Sequence, residues 1–186
     1  MKEKIINEII RSRKSIYPSQ YNGKKIPELI IKDILENANT APNHKLTYPW
    51  RVHVFSGDKK NILAQEIIKL NHDTISNNKK KRIKDKITTS SHVICICMQR
   101  DQENRVPEWE EIAATSMAVQ NMWLTCTANN IGCYWSSPEY IKRMNIFLEL
   151  EEGQRCLGFL YLGMYNTLPE IKARKKDISE NIIWHT

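Results

Sequence analysis

Apolar residues first recur at helical spacing. Ile5, Ile6, Ile9 and Ile10 lie on one face of a helix over 3–12, which should end near Arg13-Lys14-Ser15, ahead of Pro18 and the turn YNGKK. A second helix is expected to open at Ile26-Pro27-Glu28, where a proline in the first turn costs no hydrogen bond. Leu29, Ile30, Ile34 and Leu35 make its buried stripe, and Pro42 ends it around Asn39-Thr40 by disfavouring helical geometry at Ala41. The period then switches to two. RVHVFSG sets Val52 and Val54 against His53 and Phe55, the alternation of a strand.

An amphipathic helix over 59–72 and a charged one over 77–87 lead to SHVICICMQ, an apolar and β-branched run expected to be covered on both faces. The longest helix falls within 107–132, with Pro107, Glu108, Glu110 and Glu111 at a start where carboxylates suit the helix dipole, and Gly132 as its stop. Its middle is apolar nearly all round, so it is either central in the domain or completed by a second copy of the chain. CYWSS is a short strand, a helix follows from about Pro138, and RCLGFLYLGM is a last core strand. The polar tail closes on Ile182, Ile183 and Trp184, apolar residues that point to docking on another surface, such as a second subunit. No repeat, low-complexity tract or linker interrupts this order, so 1–186 reads as a single α+β domain.

Composition narrows the class. Apolar residues at 41% and charged residues at 26% are those of a globular protein. No apolar stretch approaches the ~20 residues a spanning helix needs, so no membrane partner is expected. The start, MKEKI, lacks the apolar segment of a signal peptide, and the chain is read as cytoplasmic. The five cysteines fall inside apolar runs without the paired spacing zinc requires, which fits small core residues in a reducing compartment. The net charge of +7 is local: residues 79–86 carry +5 and 172–176 carry +4, leaving −2 on the remainder. The first cluster reads as a solvated helix face. Neither has the aromatic interleaving of a nucleic-acid module, so no nucleic acid is expected.

Four clusters remain once ordinary core is subtracted. Arg13, Lys14 and Ser15 can grip a phosphate, through a bidentate guanidinium, a point charge and a hydroxyl donor, although helix C-termini also favour cations for dipole reasons alone. Thr40 just before Pro42, and His44 and Thr47 between Pro42 and Pro49, are polar groups fixed ahead of a strand, where loops carry binding groups. A lone His44 is more often a surface or structural residue. Trp135, Ser136 and Ser137 offer an aromatic wall and hydroxyls suited to a planar heteroaromatic ligand, or else a core Trp and an N-cap Ser. Lys172, Arg174 and Lys175 make either a second phosphate clamp or a solvated patch.

The order of these clusters is more telling than any one of them. RKSIYPSQY, then APNHKLTYPWRVHVF, then VPEWEEIAATSMAVQNMWLTCTANNIGCYWSS, then GFLYLGM resembles the nitroreductase family of FMN-dependent oxidoreductases, from Arg13 to Gly163. The likeness is nearest to the small, compact branch with a His in its Ala-Pro…Pro-Trp motif. It implies a three-layer α-β-α sandwich with a mixed or antiparallel central sheet, and a homodimer with FMN at the subunit interface. It also implies NAD(P)H as co-substrate, and nitroaromatic, quinone or related small-molecule acceptors reduced by a ping-pong mechanism. Arg13, Lys14 and Ser15 align with the element that contacts FMN phosphate and ring edge, Thr40 and His44 with contacts from the partner subunit, and Trp135, Ser136 and Ser137 with the segment along the isoalloxazine. Arg174 resembles a late phosphate-binding residue. The resemblance assigns no catalytic side chain and no metal ligand. Two departures are visible: Lys14 replaces a second Arg, losing one planar fork, and Tyr48 stands where a Gln usually precedes Pro-Trp. Other uses of FMN (dehalogenation, flavin breakdown, azoline oxidation) and a basic non-enzymatic binding module stay open as alternatives.

Overall fold

The computed structural model describes residues 2–168 and 177–186. Strands β1 (Trp50–Ser56), β2 (His92–Gln99), β3 (Ile131–Ser136) and β4 (Gln154–Met164) form one sheet in the order β1-β2-β4-β3. All three pairings are antiparallel, so the sheet is antiparallel rather than mixed. β2 is buried along nearly its whole length, as its unbroken apolar run requires. Its side chains divide by parity. Ile94 and Ile96 join the core beneath α2 (Glu28–Ala38) and α5 (Glu108–Ala128), while Val93, Cys95 and Cys97 join the core beneath α3 (Lys59–Leu70), α4 (Asn77–Thr89) and α6 (Met144–Phe147). Helices on both faces of one sheet make the α-β-α sandwich that the resemblance implied. All five cysteines are buried thiols. Among the described residues no helix is long and apolar enough to cross a membrane.

Several expectations need correcting. The buried stripe of α2 is Ile31, Ile34 and Ala38, whereas Leu29 is 71% exposed. Leu29 lies about 200° around the helix from Ile31 and so faces away from the sheet. The long helix stops at Asn130, whose φ of 54° supplies the left-handed residue. Gly132 lies inside β3 and has a different reason to be glycine. It pairs with Gly163 on β4, and the Tyr21 ring packs over both: a Cβ would stand 2.6 Å from Tyr21 at Gly132 and 2.2 Å from it at Gly163. After Pro138 the chain first forms a 3-10 turn, Glu139–Arg143, before α6.

The helix α1 (Lys2–Ser12) has no buried residue, and its apolar face stays open, with Ile5 52%, Ile6 46% and Ile10 43% exposed. α5 is likewise incomplete, because Met117 and Gln120 face outward from its middle. It is therefore not enclosed on every side by its own chain. Ile183 and Trp184, which end the tail, are also exposed.

Candidate functional site

Tyr21 fixes the first cluster. Its ring fills the groove left by Gly132 and Gly163, and its hydroxyl is shared between the carbonyls of Ile16 (3.0 Å) and Tyr161 (2.9 Å). Burial, with Cys133 and Cys126 nearby, pushes that phenol upward, so it stays a neutral donor. Ile16 N donates to Cys133 O at 3.1 Å, laying the segment along the outer edge of β3. Arg13, Lys14 and Ser15 precede this anchor and are half-buried. The Arg13 guanidinium rests 4.9 Å over the Trp123 ring, a cation–π contact, and Trp123 Nε1 donates to Lys14 O at 3.3 Å. No carboxylate pairs with Arg13 among the described residues.

The third cluster belongs to the same strand. The Tyr17 ring packs tilted against Tyr134, centroids 4.7 Å apart, and Trp135, Ser136 and Ser137 follow at the end of β3. Trp135 and Ser136 are half-buried and Ser137 is exposed. Among the described residues Trp135 Nε1 is a buried side-chain polar atom with no hydrogen-bond partner. Buried donors are nearly always satisfied, so this one calls for an acceptor from outside the chain. Gly158 (φ 146°) makes room beside it: a Cβ there would stand 2.7 Å from Trp135 Nε1 and 2.6 Å from Ser136 O.

The second cluster is built differently. Lys45, Leu46 and Tyr48 take φ of 52°, 53° and 44°, three non-glycine residues in the left-handed region within four positions. Each costs of order 1 kcal/mol, and such strain gathers at functional loops. Clamps hold the loop in place. Tyr48 N donates to Asn43 Oδ1, Lys45 Nζ to Arg105 O, and Gln99 N to Pro49 O. His44 Nδ1 lies 2.5 Å from Glu110 Oε2, and Thr40 Oγ1 accepts from Asn121 Nδ2 at 3.3 Å while donating to Asn37 O. The base of α5 is pinned in turn by Glu111, 1% exposed, which pairs with Arg100 and accepts from Asp101 N at 2.7 Å.

α5 therefore carries two sets of contacts. Glu110 and Asn121, eleven residues apart, share one face and hold His44 and Thr40; Trp123, two residues on from Asn121 and so roughly 200° around the helix, holds Arg13. The structure joins Arg13, Lys14 and Ser15 to Trp135, Ser136 and Ser137 through β3, and it sets Thr40 and His44 on another side of α5. Arg174 lies outside the described residues, as do Lys172 and Lys175. Sequence reasoning missed Tyr21, Glu110, Asn121 and Trp123. Asn121 was the most legible of them, a carboxamide in the apolar middle of a helix, whereas Trp123 is indistinguishable from core by pattern.

Comparison with known proteins agrees with this fold. YfhC of Bacillus subtilis (strain 168), named as an inferred NAD(P)H nitroreductase, is 28% identical over 176 residues, spanning 91% of this chain and 89% of its own. A nitroreductase-like family protein from Bacillus cereus superposes with a TM-score of 0.82 at 27% identity, over 96% of this chain and 94% of that one. The FMN-dependent nitroreductase NfnB from Mycobacterium smegmatis, solved with NADPH, shares the fold over the whole of both chains, with a TM-score of 0.75 at 15% identity. The profile of the nitroreductase family matches residues 10–164, a span that takes in every described cluster above, and the chain belongs to that family.

Proposed function

We propose that this chain is an FMN-dependent oxidoreductase that takes electrons from NAD(P)H and passes them to nitroaromatic, quinone or related small-molecule acceptors in a ping-pong cycle. Its family and the NAD(P)H nitroreductase name carried by its Bacillus subtilis relative support the reading. One observation bears on the cofactor directly. Along the same strand edge, the half-buried Arg13 has no carboxylate partner and the buried Trp135 Nε1 has no acceptor among the described residues. A cation lacking an anion and a donor lacking an acceptor suit a ligand that is both phosphorylated and rich in acceptor atoms, as FMN is.

FMN, when bound, accepts hydride from the nicotinamide and delivers the electrons to the acceptor. The chain's own residues bind and orient. Arg13, Lys14 and Ser15 supply positive charge and a hydroxyl for the phosphate and ring edge, held in place by Trp123 and the Tyr21 anchor. Trp135, Ser136 and Ser137 border the ring, with Gly158 keeping the strand edge free of a side chain. Thr40 and His44, on another side of α5, serve the flavin of a second copy, so the functional unit is a homodimer with FMN at the interface. The open apolar face of α1 and the outward Met117 of α5 are the surfaces such a partner covers. Arg174 is carried as a further phosphate contact. The chemistry asks no nucleophile or general base of the protein.

Arg13→Ala tests the phosphate role. A lost charge-assisted contact is worth roughly 1.5–3 kcal/mol, so FMN affinity should fall by about tenfold to a hundredfold while far-ultraviolet circular dichroism stays unchanged. A variant that keeps its flavin through gel filtration as well as the parent does would remove Arg13 from the site.

A further inference from the structure

Helix α4 was expected to be a solvated cationic face. Its geometry is more selective than that. Lys79, Arg82 and Lys86 stand at i, i+3 and i+7, one above another along the helix. The same face carries Ile83, only 4% exposed, so it is turned toward the protein. Against it lies a cavity of about 350 Å³, whose other walls include Ser136, Pro138 and Tyr140. No carboxylate lines that cavity, and none of the three cations forms an ion pair among the described residues. Lys86 Nζ sits 5.6 Å from the centroid of the Tyr134 ring, one residue from Trp135. Lys79 and Arg82 are exposed at the cavity mouth and Lys86 is half-buried, whereas Lys81 and Lys84, exposed on the same helix, do not line the cavity.

Three like charges held along one concave wall without a counter-ion favour a polyanion. The wall spans roughly 10 Å from Lys79 to Lys86 at 1.5 Å per residue, and it begins at Ser136, beside the residues that border the flavin. A nicotinamide dinucleotide has this shape, with its reactive ring at one end and its phosphates along the other. The pyrophosphate brings two negative charges, and a 2′-phosphate adds roughly 1.5 to 2 more near neutral pH, which matches three cations better than the pyrophosphate alone. Resting on the flavin-site reading above, we infer that Lys79, Arg82 and Lys86 receive the phosphate-bearing end of the nicotinamide donor, 2′-phosphate included, and set a preference for NADPH over NADH.

The test compares the parent with a Lys79→Gln/Arg82→Gln double variant and a Lys81→Gln/Lys84→Gln control. Calorimetry with 2′,5′-ADP and 5′-AMP reads the strip without any turnover. The parent should bind 2′,5′-ADP about tenfold or more tightly than 5′-AMP, and the double variant should lose most of that difference. In steady state the double variant should raise KM for NADPH by about tenfold to a hundredfold and KM for NADH several-fold less, with the effect in KM rather than kcat. The control should match the parent. Equal binding of the two nucleotides, an unchanged KM for NADPH, or an equal loss in the control each overturns the inference. Flavin content, read separately by absorbance, shows whether the underlying site reading has failed instead.

Discussion

Tyr21 shows how one side chain can position a neighbouring segment of the chain. Its ring needs two facing glycines, Gly132 and Gly163, and its hydroxyl ties the chain just after Arg13-Lys14-Ser15 to β4. Tyr21→Phe keeps the ring packing and deletes the hydrogen bond, a loss of about 1 kcal/mol, which urea unfolding should register together with weaker flavin retention. Gly163→Ala is expected to be worse, because its Cβ would fall 2.2 Å from the ring of Tyr21 and the sheet has no slack there. If Tyr21→Phe loosens flavin without any change in stability, the residue contacts the ligand rather than its scaffold.

At the scale of elements, the strained 40–49 loop is held by the turn between β2 and α5. Lys45 reaches Arg105 O, and Arg105 is itself fixed by Asp101. Hydrogen bonds from the Arg105 side chain and backbone hold the Asp101 carboxyl down to about 2, below the ordinary value near 3.9. A depressed folded-state pKa contributes stability that is complete above the unfolded value and is lost as pH falls from about 4 toward 2. Asp101→Asn should therefore flatten the acid limb of the stability profile across that window, as measured by thermal melts at stepped pH. An unchanged acid limb would mean the turn is held by other groups.

These elements were legible to different degrees. Helical spacing located α2 and period-two alternation located β1, whereas α5 and β2 showed as unbroken apolar runs, because burial imposes each of these patterns directly. The apolar run of β2 showed that both faces of that strand are covered, and the three-layer arrangement itself was implied by the family resemblance. Pattern could not show that Asn130 rather than Gly132 ends α5, since that turns on which residue takes a positive φ. Nor could it show that Arg13 packs on Trp123 or that His44 meets Glu110, because the partners are 110 and 66 positions apart in sequence. The clusters themselves were visible as polar residues at element ends. Their mutual placement depended on the fold.

At the scale of the whole molecule, the account rests on what a single chain leaves open. The face of α1, Met117 in the middle of α5 and the terminal Ile183 and Trp184 are apolar and exposed, and the groups expected to bind flavin divide between two sides of α5. Flavin and self-association should therefore be linked: diluting the protein toward monomers in sedimentation velocity should release FMN in step with dissociation. Flavin retained by a stable monomer would show that one chain suffices. The most direct measurement is an anaerobic titration of the purified protein with NADPH, following the visible absorption of the flavin. The account predicts a yellow protein, equimolar in FMN and chain, that is bleached stoichiometrically and recovers its colour when a quinone is added. Protein that stays colourless after incubation with excess FMN, or yellow protein that neither nicotinamide bleaches, would contradict it.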